Sequence, residues 1–98
     1  MDEVYTELEQ FRKIYFEALK NGDSRAHEMR MKMNELERLI EENLSSFQTQ
    51  DINKLVERMK NNVDEAMNKI NKINDRTKIV ANTISFIDDT LYFMKEML

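Results

Sequence analysis

An all-α fold is predicted for this chain, on three observations. Apolar residues recur at alternating spacings of four and three along most of its 98 residues, the period of a helical stripe. Proline is absent and Gly22 is the only glycine, so the turn residues that a compact β fold needs every eight to twelve positions are missing. A hydrophobic fraction of 41%, arranged periodically, marks a folding chain rather than a disordered one. The length suits a single domain, residues 1–98, able to fold alone.

The first helix is predicted over about residues 2–21. Val4, Leu8, Phe11, Tyr15 and Ala18 form its stripe, with Asp2 and Glu3 at the positive end of the helix dipole and Lys20 near the negative end. Asn21-Gly22-Asp23-Ser24 supplies a stop and a restart: glycine for a left-handed C-cap, then Asp or Ser for the next N-cap. A break or kink is therefore expected at Gly22.

The second helix is predicted over about residues 24–44, with Ala26, Met29, Met33, Leu36, Ile40 and Leu44 on one face. Met31 points outward between the core pair Met29 and Met33. A turn is expected in the stretch Ser45 to Gln50, with Thr49 or Asp51 as cap. The argument for it is phase: continuing the stripe from Phe47 lands on Gln50 or Asp51.

Residues 51–98 carry the strongest pattern. Val56, Val63, Ile70, Thr77, Ile84, Leu91 and Leu98 fall at sevens, as do Ile52, Met59, Ala66, Ile73, Val80, Ile87 and Met94. These are the a and d positions of a coiled coil, and the opposite f series, Lys54, Asn61, Asn68, Asp75, Asn82, Asp89 and Glu96, is wholly polar. One helix of about 70 Å is predicted.

From these elements the expected architecture is an antiparallel helical hairpin, two shorter helices kinked near Gly22 and packed along one long C-terminal helix. A compact three-helix bundle is the alternative. Fold-back at Phe47 pairs opposite charges: Glu41 and Glu42 with Lys54, Glu37 with Arg58, Arg30 with Glu65, Lys32 with Asp64, Lys20 with Asp75 and Glu17 with Lys78. Such exposed pairs contribute about 0 to 1 kcal/mol each and select register more than they stabilise. The hairpin also brings Phe11 and Tyr15 toward residues 84–91.

In the second half of the long helix the apolar arc widens through Ile79, Phe86 and Phe93, with Met97, Thr83 and Thr90 on the other flank. One partner helix cannot cover it. These positions, Ile79, Phe86, Phe93 and Met97, are therefore the candidate partner-binding residues, with a homodimeric four-helix bundle as the expected assembly and a different helical protein as the other occupant.

Chemistry is sparse. Cysteine is absent, excluding a disulfide framework and a cysteine-based zinc site. His27 stands alone, and the residue three before it is Ser24, so the Glu-x-x-His pattern of bundle di-iron sites is missing. Ser24, Ser45, Ser46 and Ser85 lack an assembled base, and no glycine-rich phosphate loop occurs. No catalytic residue, cofactor or metal is expected. Lys69, Lys72, Arg76 and Lys78 are interleaved or flanked by Glu65 and Asp75, a solvated or paired face rather than a phosphate ridge. A net charge of −4 gives no basic field for nucleic acid or anionic membrane. No apolar run reaches membrane-span length, and Met1-Asp2-Glu3 opens no signal peptide, so the cytoplasm is the expected compartment, with signal-independent export left open.

Tyr92-Phe93-Met94-Lys95-Glu96 matches a Tyr-x-x-x-Asp/Glu pattern, as does Tyr5-Thr6-Glu7-Leu8-Glu9. With its size and helical-hairpin pattern, the chain resembles the WXG100 proteins of type VII secretion. It lacks their Trp-x-Gly turn, the turn region here reading Ser45-Ser46-Phe47-Gln48 with no tryptophan anywhere. That resemblance implies a secretion-linked hairpin acting with a partner of similar shape. The residues themselves point first to a non-enzymatic interaction protein, an adaptor, small regulator or helical chaperone working through a coiled-coil surface.

Overall fold

A computed structural model describes residues 2–20, 24–72 and 76–98. Four α-helices follow one another: α1 (Asp2–Leu19), α2 (Ala26–Asn43), α3 (Thr49–Lys72) and α4 (Arg76–Met97), with a short 3₁₀ turn at Leu44–Ser46. All four contribute to a single hydrophobic core.

The apolar stripes point where their spacing places them. Val4, Leu8, Phe11 and Ala18 of α1 are buried, joined by Ile14, while Tyr15 packs at the core's edge. Met29, Met33, Leu36 and Ile40 of α2 are buried and Met31 faces outward. In α3 and α4 the buried set contains Val56, Met59, Val63, Ala66, Val80, Ile84, Ile87, Leu91 and Met94, all from the two heptad series.

The long helix is where expectation and structure part. Helix α3 ends at Lys72 and α4 begins at Arg76, and the two pack side by side. Arg58 reaches Asp89, and Asn62 reaches Asp89 and Thr90, so they run antiparallel. The molecule measures 40 × 24 × 20 Å, too short for a 70 Å helix. Its radius of gyration of 13.2 Å is close to the roughly 12.6 Å expected of a compact chain of this length. The fold is thus neither the extended hairpin nor the three-helix alternative, and the two-helix hairpin implied by the likeness to WXG100 proteins is replaced by four packed helices. The physical reason is burial. Folded back, α4 packs on α1, α2 and α3 together, whereas a single long helix leaves its wide apolar arc half covered.

The order of packing differs from chain order. Helices α1 and α4 each touch the other three, and α2 and α3 form no packed pair. Lys32 and Glu35 of α2 meet Asp88 and Lys95 of α4 in increasing order, so α2 and α4 run parallel. The charge pairs expected between the second helix and residues 54–65 therefore do not form. Glu37 pairs with Arg12 at 3.1 Å, Lys32 with Asp88 at 2.6 Å, Glu35 with Lys95 at 3.0 Å and Arg58 with Asp89 at 2.7 Å. Lys20, just past the end of α1, pairs with Glu17. Asp75 lies outside the described residues. The acidic C-terminal half of α2 is complemented, but by α1, α4 and its own Arg38.

The turns show how the chain reverses without proline. Asn43 donates its side-chain amide to the Leu39 carbonyl, and the Ser46 hydroxyl donates to the Asn43 carbonyl, at 2.9 and 2.8 Å. The second bond falls on one of the carbonyls at the helix end. Phe47 then turns extended, at φ −79° and ψ 143°, and lays its ring against the core. Asp51 lies in the first turn of α3 and Lys69 and Lys72 in its last, the favourable order for the helix dipole. Helix α1 stops at Leu19 and α2 restarts at Ala26, so the helix is interrupted across the region of Gly22, which itself lies outside the described residues. Arg25, not Ser24, takes the N-cap position of α2 and makes no side-chain cap bond, and Asp23, the other expected cap, lies outside the described residues.

Phe11 and Phe86 join α1 to α4, their rings edge-on at 4.7 Å and 72°, both buried. The sequence placed Phe11 near residues 84–91, and the structure agrees by a different route, through reversal of the chain after Lys72. Phe11→Ala is expected to cost about 3 to 5 kcal/mol in urea unfolding, while Phe16→Ala, at an exposed site on the same helix, changes stability by less than about 0.5 kcal/mol.

Candidate functional site

Because α2 and α3 do not pack on each other, α4 keeps an outward ridge between them. Ser85, Asp88, Asp89, Tyr92 and Lys95 run along it at helical spacing. A groove of about 370 Å³ lies on its α3 side, lined by Arg58, Asn62, Glu65 and Lys69. Another of about 430 Å³ lies on its α2 side, lined by Lys32 and Glu35. Ser85 and Asp89 line both, so the two grooves form one saddle over α4.

The saddle is held by a polar clamp. Arg58 donates two hydrogen bonds to Asp89, at 2.8 and 2.7 Å. The buried Asn62 amide donates to Asp89 and to the Thr90 hydroxyl, at 2.8 and 2.9 Å. The Thr90 hydroxyl in turn donates to the Phe86 carbonyl one turn back. The Arg58 guanidinium also lies 5.4 Å above the Phe93 ring, a cation–π contact. Bidentate geometry of this kind gives orientation as well as energy. It holds the Asp89 carboxyl below its usual range, first through the Arg58 hydrogen bond and then, against some desolvation, through Asn62. Charges near the mouth are paired across the helices or within them, Lys69 with Glu65 included. Tyr92 stands apart, 68% exposed beside the α2 groove.

The residues singled out from sequence lie elsewhere. Phe86 is buried against Phe11, and Ile79, Phe93 and Met97 pack partly buried on the core. The wide arc of α4 is covered within the chain, because α4 meets three helices rather than one. The flanking hydroxyls at Thr83 and Thr90 are buried too, each bonded to the carbonyl four residues back. His27 is exposed on α2, and among the described residues no group of three His, Cys, Asp or Glu is placed to hold a metal ion. No described helix is long and apolar enough to cross a membrane. Sequence reasoning missed the clamp. Its signal was Asn62, a polar residue on the flank of an apolar seam in the same heptad position as Leu55, Thr83 and Thr90.

A buried carboxylate sits away from the saddle. Glu7 of α1 is 8% exposed, and burial raises its pKa above the ordinary value, with Lys60 opposing the shift and Asp64 adding to it.

Comparison with protein-family models, with curated proteins and with solved structures finds no match to this chain.

The two carboxylates give opposite pH dependences. Folding raises the Glu7 pKa, so the folded state binds the proton more tightly, and stability falls as pH rises from 4.5 through the folded value. Glu7→Gln is expected to remove that slope and to unfold at higher urea than wild type at pH 7. Folding lowers the Asp89 pKa, so its contribution is complete above 3.8 and is lost as pH falls through the folded value. Asp89→Ala is expected to lower the urea midpoint at pH 7, with the gap to wild type closing below pH 3.8. Urea midpoints across pH 2 to 7 check both signs.

Proposed function

We propose that this chain is a non-enzymatic helical interaction module, an adaptor or small regulator whose partner lays a helix along the saddle over α4. The observation that carries the reading is Tyr92, two-thirds exposed on a ridge flanked by two grooves. Tyrosine at the rim of a groove offers a rigid ring and a hydroxyl at small entropic cost, which is why it recurs at the centre of protein interfaces. The groove walls alternate in sign, with Lys32, Arg58, Lys69 and Lys95 set among Glu35, Glu65, Asp88 and Asp89. Such alternation selects a partner's register rather than a charge class. A substrate-processing role has less to stand on: the charged side chains of the grooves are committed to one another in ion pairs.

A secretion-linked reading has one specific observation in its favour. Tyr92 and Glu96 are exposed one turn apart on α4, the spacing of the WXG100 signal pattern. It is tested by export, which Tyr92→Ala abolishes and Tyr5→Ala leaves intact if the pattern operates here.

The interaction reading is tested by a photo-crosslinking residue placed at Tyr92 in the expressing cell, with Tyr5 on α1 as the comparison site. A discrete adduct from position 92 that is absent from position 5 is expected. With that partner purified, Tyr92→Ala weakens binding by about 30-fold or more. Identical adducts from both positions, or none from either, contradict the proposal.

A further inference from the structure

The heptad series of residues 52–98 runs straight across the link between α3 and α4 without a slip in phase. A turn does not require that. At the link between α2 and α3 the stripe does slip, since carrying it forward from Phe47 lands on Gln50 or Asp51. The sequence between Lys72 and Arg76 holds neither glycine nor proline, the residues that stop helices. By sequence, residues 49–97 thus make one unbroken heptad helix of about 73 Å.

The register between α3 and α4 is one that exchange between copies preserves, as for any two consecutive antiparallel helices. Arg58 meets Asp89 and Phe93, and Asn62 meets Asp89 and Thr90, so residue i faces about residue 150 − i. The centre of that pairing, about residue 75, is the link itself. A pairing symmetric about its own connection is satisfied by one chain folded back and equally by two chains laid across each other.

From the unbroken heptad phase, with a register that exchange preserves, we propose that the chain also forms a domain-swapped dimer, in which α3 and α4 join into one helix and each α4 packs into the α1–α2–α3 unit of a second copy. Every contact of α4 is kept, now between copies: Phe86 on Phe11, Asp88 with Lys32, Lys95 with Glu35 and Asp89 with Arg58. Against this stand the entropy of association and the modest helix propensities of Asn74 and Asp75. The balance is therefore set by concentration and by those two residues. The proposal is independent of the Tyr92 surface, which lies on the outer side of α4 in either form.

The test uses the absence of native cysteine. Lys54→Cys and Glu96→Cys are introduced together at exposed positions that face each other in the register, and both are spin-labelled. The labelled chain is refolded from urea with a large excess of unlabelled chain at high concentration, and monomer and dimer are separated. The monomer is expected to give a short distance, on the order of 10 to 20 Å between adjacent helices. The dimer is expected to give about 63 Å along one continuous helix, 42 residues at 1.5 Å each. Asn74→Ala with Asp75→Ala raises the association constant by about tenfold or more, and Asn74→Pro lowers it by about a hundredfold or more. Absence of a dimer over the whole concentration range, or a dimer that keeps the short distance within each chain, overturns the proposal. So does an association constant that the alanine pair leaves unchanged, a readout that stands even if the proline variant does not fold.

Discussion

Burial of α4 against three helices at once is the constraint on which the rest of this structure depends. A lone helix can hide one stripe, but α4 carries apolar residues over a much wider arc, from Ile79, Phe86 and Phe93 round to Met97. Only neighbours on several sides keep that surface from water, and α1, α2 and α3 supply them. Phe86 shows the consequence most directly, because its ring is buried on Phe11, some 75 residues earlier in the chain. Once α4 is central, α2 and α3 are held apart on its two sides, and the open saddle between them follows.

Polar groups then decide which of the possible packings is adopted. Apolar helices slide and rotate on one another at small cost, whereas the Arg58–Asp89 pair, with Asn62 and Thr90 behind it, is satisfied in a single register. Lys32 with Asp88 and Glu35 with Lys95 set the parallel alignment of α2 and α4 in the same way. These pairs are half-exposed, so their contribution lies more in choosing the arrangement than in stabilising it.

Helix content, inward faces and the break between the first two helices were legible in the sequence, because they rest on local periodicity and on turn chemistry. Met31 pointing outward between buried Met29 and Met33 is one case. The reversal after Lys72 was not legible, since the heptads cross it in phase and no glycine or proline marks it. What covers the rest of α4, and which charges pair across it, was misplaced with it. The arc of Ile79, Phe86, Phe93 and Met97 looked like an outer surface only because one long helix left nothing to cover it, and the expected partners of Lys32, Glu37 and Arg58 came from the wrong neighbouring helix. Tyr92 and the Asp89 clamp are properties of packing, and sequence spacing carries only a faint trace of them in the polar flank residue Asn62.

Reversal of the chain between α3 and α4 sets the length of the molecule, which small-angle X-ray scattering from the monomeric fraction measures. The folded-back chain is expected to give a radius of gyration near the 13.2 Å of the helical backbone, raised slightly by side chains and hydration, with a maximum dimension not far above 40 Å. A monomer with a maximum dimension of about 70 Å, the length of an unbroken C-terminal helix, would contradict it.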